Sequence, residues 1–372
     1  AIGLSAQVVA ASKLCGQSVL DTELRFAPQY MQYQVHGPAD ETIAELAIPV
    51  FVTIPASSRL TFDIGTAYAR AHVTSGGTLS EISGLTDTQI RGNLTLGSDF
   101  VVLTAGVSLP TGTSSVTLDQ LAAAGRIGND FLGFPVSNMG TGLAATGGIA
   151  IARPFGQWSL GVGAAVRRSA SYDPFDVPGQ NFRYQPGNEI RARIGADRPV
   201  GSGELTLGLT FSAFGRDNAG GSAYNTGDRV ITQGAFTQLL GTNELTVAAF
   251  NMFRSPGSYA SGDRAGRENI ANVFVSLGVQ AMGTLVEPSL EVRHWLQSVY
   301  PAGEESAGPA RSQSSRMATI GLRTRIAAWG ASVYPSAGYT VLGKLATIDA
   351  AGTPVEANLT GFRGQIAVRL AK

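Results

Sequence analysis

The stretch DFVVLTAGVSLPTG, Asp99 to Gly112, decides how the rest of the chain is read. Val101, Leu103, Ala105, Val107 and Leu109 alternate with Val102, Thr104, Gly106 and Ser108. Period-two alternation is the signature of a β-strand with two unlike faces. One face is apolar and the other is small and polar, so the question is what each face touches.

The same pattern recurs along the chain. GELTLGLTFSAFG sets Leu205, Leu207, Leu209 and Phe211 against Thr206, Gly208, Thr210 and Ser212. GQWSLGVGAAVRR, TQIRGNLTLGSD and TLVEPSLEVRHWLQ behave alike. About sixteen such segments are found, near 20–36, 41–55, 58–73, 86–97, 99–110, 141–154, 156–169, 188–199, 203–215, 226–240, 243–254, 268–281, 284–299, 314–329, 331–346 and 356–371. Helical periodicity is confined to the short TLDQLAAAG segment, Thr117 to Gly125.

Composition narrows the class. Charged residues make up 15% of the 372 residues, below the roughly 25% of ordinary soluble domains. Lys+Arg and Asp+Glu are both 27, a balance that argues against a nucleic-acid partner. The single cysteine, Cys15, excludes an intrachain disulfide framework and a cysteine-rich metal site. No apolar run reaches the ~20 residues of a membrane-spanning helix; AELAIPVFVTIP is interrupted by Glu45, Pro49 and Pro55. The start carries no basic leader pattern, so it is expected to be that of a mature chain.

The connections separate a soluble sandwich or propeller from a membrane barrel. Every second one is tight: PASS, GSD, PFGQ, VGSG, LGTN, MGT and WGA. The others are mostly longer, such as TSGGTLSEISGL, Ser171–Gly187, RSPGSYASGDRAGR and YPAGEESAGPARSQ. Short turns at one end and long loops at the other are the habit of outer-membrane barrels. Strand lengths match the ~9–11 residues that cross a bilayer, and lipid forces such a sheet to close. The expectation is an all-β membrane protein: one antiparallel transmembrane β-barrel of about sixteen strands over 20–372, with fourteen if Leu20–His36 belongs to a plug. The turns would be periplasmic and the loops extracellular. Segment 1–19 is expected at the periplasmic mouth or as a plug.

The alternation, loop asymmetry and strand number resemble the sixteen-stranded porins of Gram-negative bacteria. GLTDTQIRGNLTLGSDFVVLTAGVSLPTG, Gly84 to Gly112, resembles the G-L-x-D-T … L-P-T-G stretch of the outer-membrane channels associated with aromatic-degradation operons. Such barrels usually end in an aromatic residue; this chain ends GQIAVRLAK, although Ile366, Val368 and Leu370 keep the strand alternation. The resemblance implies location in the bacterial outer membrane. It also implies contact with its lipid and lipopolysaccharide, insertion by the barrel-assembly machinery, small-molecule solutes as cargo, and either a monomer or a homotrimer.

Other motifs carry little. GYTVLGKL, Gly338 to Leu345, meets G-x-x-x-x-G-K but lacks the Ser/Thr and the following helix of a phosphate loop. GTGLAA precedes a strand, the reverse of a dinucleotide site. His36, His72 and His294 fall near strand ends, and no G-x-S-x-G elbow accompanies them, so no enzymatic activity is expected. No stretch has metal-ligand spacing; Asp173, Asp176, Asp217, Asp228 and Asp263 read as solvated loop residues. No cofactor is expected.

Sixteen strands leave an aqueous channel that something must restrict. The third outer loop, 111–140, is the longest connection and carries an apolar cluster unsuited to water. It is expected to fold inward as a constriction loop, with Asp119, Arg126, Asp130, Phe131, Phe134 and Met139 as its characteristic side chains. Strand parity points Arg191, Arg193, Glu287, Glu291, Arg293, Arg323, Arg325, Arg363 and Arg369 into the lumen, together with Lys344. Charge on the lipid side would cost roughly 2–4 kcal/mol each near the midplane. The expected function is passive diffusion of small solutes, with a gated channel for hydrophobic or aromatic compounds as the alternative and a non-transporting barrel third.

Overall fold

The computed structural model describes residues 22–97, 100–179, 182–281, 284–300, 308–328, 331–348 and 354–371. Sixteen wall strands follow one another in chain order. β1 is Glu23–Phe26 continued by Gln29–His36, β2 is Glu41–Pro55 and β3 is Leu60–Ser75. β4 is Thr78–Leu85 continued by Thr88–Leu96, and β5 is Val101–Leu109. Then come β6 Ala144–Phe155, β7 Trp158–Ser169, β8 Glu189–Val200, β9 Gly203–Phe214, β10 Arg229–Leu240 and β11 Asn243–Arg254. β12 Glu268–Ala281, β13 Thr284–Val299, β14 Arg311–Ala328, β15 Ala331–Ile348 and β16 Pro354–Ala371 complete the wall.

Each strand pairs antiparallel with its neighbours, and β16 returns to β1 through Gln29↔Gln365 to His36↔Asn358 and Glu23↔Ala371 to Phe26↔Val368. The sheet is closed, so no edge is left in lipid. Glu23–His36 is part of the wall, which decides for sixteen strands over fourteen. The segment 1–19 lies outside the described residues.

The opening stretch now has its two surroundings. Leu103 is exposed on the outer face, while Thr104 donates from Oγ1 to Asn93 Oδ1 at 3.0 Å inside. Val162 and Ile194, cross-strand partners on β7 and β8, are 53% and 55% exposed on the same outer face. At the short-turn end this face carries aromatic rings backed by arginine: Arg153 lies 4.6 Å from the Phe100 ring and Arg198 5.3 Å from Trp158. An apolar band flanked by aromatics is what a bilayer selects on a barrel exterior.

Two local readings are corrected. The stretch around 78–85, expected as an outer loop, extends the wall: a tight turn at Gly76 (φ 56°) and Gly77 (φ 81°) returns the chain directly. Lys344, expected in the lumen, points outward. Between Thr340 and Lys344 the register of β15 shifts by one residue against β16, a bulge that reverses the facing. Leu345 is therefore the inward residue, 1% exposed, and Lys344 pairs across the outer face with Arg316.

Candidate functional site: the lumen and its third loop

The loop between β5 and β6 contains a short 3₁₀ turn, Leu118–Gln120, and one helix, α1, Leu121–Ile127. Asp87 clamps its base, accepting from the Gly112 N–H at 3.1 Å and the Thr141 N–H at 2.6 Å. Ser80 of β4 holds the start of α1, donating to the Asp119 carbonyl at 2.5 Å and accepting from the Ala123 N–H at 3.1 Å. Asp119 itself accepts from Thr117 Oγ1, and its side chain lies exposed at the outer end of the loop. Arg126 pairs with Glu41 of β2 at 2.7 Å.

Beyond the helix the loop reaches the opposite wall. Tyr33 of β1 donates to the Leu132 carbonyl at 3.0 Å, and Arg293 of β13 to the Phe131 carbonyl at 2.7 Å. The Val136 N–H donates to Glu45 of β2 at 2.9 Å. Asp130 meets Arg254 of β11 at 3.1 Å, and Arg254 also meets Glu268 of β12 at 3.4 Å. Phe131 stacks on Trp295 with centroids 5.9 Å apart, and Phe134 meets Tyr33 edge-on at 5.6 Å.

Apolar burial is the main attachment. Phe131, Leu132, Phe134 and Met139 are buried in one cluster with inward residues of the wall, among them Met31, Val35, Ile43, Ile270, Met317 and Leu359. Each phenylalanine is 2% exposed or less. Burying such a ring removes about 150–250 Å² from water, or about 4–6 kcal/mol at about 25 cal/mol per Å². Gly133 makes the turn between the two rings: its φ is +68°, and a Cβ there would sit 2.3 Å from Arg293 Nη1. Only glycine takes that conformation without strain and admits the guanidinium so close.

Much of the remaining interior is polar. Glu291 of β13 gathers Asn272 at 2.6 Å, Arg293 at 2.8 Å and Arg363 of β16 at 2.6 Å. Glu287 pairs with Arg323 of β14, and Arg325 lies 5.9 Å from the Tyr334 ring. Nearer the short turns, Glu23 holds Arg25 at 2.7 Å and Arg369 at 2.5 Å. Asp63 there holds Arg91, Asn93 and Thr53, each at 3.0 Å. The inward arginines Arg91, Arg323 and Arg369 still leave 59%, 57% and 53% of their side chains exposed. These side chains point into the closed barrel and stay accessible to solvent.

On β5 to β9 the inward positions include Gly106, Gly148, Gly163, Ala165, Gly195 and Gly208, all small. Arg191 and Arg193 of β8 stand on this side. Arg191 pairs with Glu189 at 2.6 Å with its side chain 39% exposed, and Arg193 is exposed on the same inward row. Arg229 of β10, beside the Phe214 ring at 5.7 Å, stands level with Arg191 across Ser212 of β9. The outer loops pack over this side: Val116 bridges Phe175, and Tyr184 donates to Asp217 at 3.0 Å. Burial pushes the Tyr172 hydroxyl up to about 12, so these loop tyrosines stay neutral at ordinary pH.

Parity alone placed the inward arginines, but several partners escaped it. Tyr33, Glu41, Trp295, Arg254 and Asp87 become visible only once the loop is docked. Glu45 was the one with a sequence signal: a lone acid inside the apolar run AELAIPVFVTIP, on an inward position.

The class that this fold defines is a closed sixteen-stranded antiparallel β-barrel with an apolar, membrane-facing exterior, porin-like in architecture. No family model matches the chain, and no curated protein matches it by sequence. Solved structures match over nearly its whole length. An outer-membrane channel from Pseudomonas putida F1 shares 12% identity, with 96% of this chain and 97% of that one covered and a TM-score of 0.38. OccK5 of Pseudomonas aeruginosa shares 13%, over 95% and 98%, with a TM-score of 0.42. A bacterial polysaccharide outer-membrane secretin shares 9%, over 94% and 99%, with a TM-score of 0.45.

Proposed function

We propose that the chain is a passive diffusion channel for small hydrophilic solutes with a preference for anions. The observation that carries this reading is the exposure of inward-pointing arginines in a closed barrel, since hydrated charge inside a wall of low dielectric marks a water-filled path. The path runs between the third loop and the glycine-rich wall of β5 to β9, past Arg191 and Arg193. The loop closes the remaining sector with an apolar seal rather than a charged eyelet, so selectivity comes from the arginine side.

Carboxylates are fewer than arginines at two of the ion-pair knots: Glu291 faces Arg293 and Arg363, and Glu23 faces Arg25 and Arg369. The resulting positive field concentrates counter-ions in a narrow pore and weakens as salt shortens the screening length from ~10 Å at 0.1 M to ~3 Å at 1 M. The test is the reversal potential across a salt gradient. Wild type should reverse on the anion side at low salt, and Arg191→Ala/Arg193→Ala should move the reversal potential towards cations. A double variant with wild-type selectivity would sink this assignment.

The apolar seal favours one second reading, a gated channel for hydrophobic compounds, in which the buried ring cluster opens to an apolar solute. Uptake of such a compound by liposomes carrying the barrel, lost when the loop is removed, would distinguish it from simple diffusion.

A further inference from the structure

The outer face of β13 to β16 carries a polar row where the lipid-facing surface should end. His294 of β13 pairs with Arg316 of β14, Arg316 with Lys344 of β15, and Lys344 with Asn358 of β16. All four point outward. The β15 bulge at Thr340 to Lys344 is what brings Lys344 to this side. At about 4.8 Å between strands, the row is about 15 Å long.

Its height is set by what lies below. Towards the short-turn end, the outward positions are Val292, Leu290 and Val286 on β13, and Ala318, Ile320 and Leu322 on β14. β15 and β16 continue the same apolar band with Leu342, Phe362 and Ile366. The row is therefore the upper boundary of the membrane-facing band, at the long-loop end. An arginine there costs far less than one at mid-membrane. Among the described residues, neither Arg316 nor Lys344 has an ion-pair partner. Among the described residues, Glu356 stands two positions above Asn358 on β16, and Asp40 contacts His36 at 3.6 Å.

A second feature lies on the same strands. A groove of about 530 Å³ opens beneath the row, lined on the lipid side by Tyr30, Leu46, Leu322, Phe362 and Ile366. Pro28 and Pro335 border it. Phe362 is four residues below Asn358 and Leu322 six below Arg316, about 13–20 Å along strands that rise about 3.4 Å per residue. A cationic row above an apolar groove, at the spacing of a head group from its chains, fits an anionic lipid.

We propose that His294, Arg316, Lys344 and Asn358 bind the phosphorylated sugar head group of lipopolysaccharide, with an acyl chain in the groove below. Position decides the source: the row faces the leaflet on the long-loop side, where the phosphorylated glycolipid is the anionic component. Arg316 and Lys344 supply charge to phosphate, and His294 and Asn358 flank them with hydrogen-bonding groups. The site stands outside the lumen and adds a lipid anchor to β13 to β16 whatever the channel carries.

The test uses the whole barrel in detergent, titrated with bisphosphorylated lipid A, dephosphorylated lipid A and phosphatidylglycerol, and followed by thermal unfolding and native mass spectrometry. Wild type should bind lipid A at least tenfold more tightly than the other two. Arg316→Gln/Lys344→Gln should lose that advantage while keeping the lipid-free unfolding temperature. Should this variant fail to fold, the wild-type comparison of phosphorylated with dephosphorylated lipid A still decides. Equal affinity for those two, tight binding retained by the double variant, or phosphatidylglycerol bound as well as lipid A would each overturn the proposal.

Discussion

Removing Phe131 and Phe134 together should release the third loop while leaving the barrel intact. Each ring is buried, one on Trp295 of β13 and the other on Tyr33 of β1, so the pair fastens the loop to separate parts of the wall. Phe→Ala in such a setting costs about 3–5 kcal/mol. The two sites are close enough to couple, so about 6–10 kcal/mol is an upper bound for the double variant. The polar tethers are weaker: the neutral Tyr33–Leu132 bond contributes about 0.5–1.5 kcal/mol and the charged Arg293–Phe131 bond about 1.5–3. A single truncation thus leaves one anchor and every tether, and should add brief openings without changing the main conductance level. Phe131→Ala/Phe134→Ala should raise the main level and the solute size limit. Neither ring belongs to a wall strand, so heat-resistant migration in detergent should persist. Single-channel recording in planar bilayers reads the outcome. A folded double variant with wild-type conductance and size limit would refute the idea that the loop narrows the pore.

Gly133→Ala adds a methyl where φ is +68° and Arg293 Nη1 would be 2.3 Å away. The left-handed penalty of about 1–2 kcal/mol and displacement of the guanidinium should give openings between those of the single and double phenylalanine variants. An alanine variant as quiet as wild type would show that the turn is not under that constraint. Arg323→Ala/Arg325→Ala should shift the reversal potential towards cations less than Arg191→Ala/Arg193→Ala: each pair releases one carboxylate, Glu287 or Glu189, but the first alters a wall that carries less of the current. A larger shift would move the solute path to β13 to β16.

The wall was legible because lipid and lumen impose a two-residue period on every strand that separates them. Val101–Leu109 and Gly203–Phe214 show that period almost without exception, and their facing followed directly. The reading failed where the period is interrupted. Thr78–Leu85 reads as loop because glycines, threonines and serines also form the top of a tall hairpin. Lys344 was misplaced because one extra residue in β15 reverses the facing without any mark in composition. The loop's apolar cluster was visible, but its partners were not. Asp130–Arg254 and the bond from Arg293 to the Phe131 carbonyl join residues far apart in sequence, and no periodicity connects them. The lipid-side row was hidden for the same reason, since it exists only through the register of four strands.

The channel reading requires a hydrated lumen that passes small solutes beside a docked third loop. Single-channel conductance of the purified wild-type barrel in a planar bilayer, under a gradient of potassium chloride, checks this. Discrete steps that are ohmic near zero voltage should appear, with a reversal potential on the chloride side at about 0.1 M that moves towards zero as salt approaches about 1 M. Barrels that insert and fold but give no conductance would contradict the channel reading, because a sealed lumen cannot leave its inward arginines in open water.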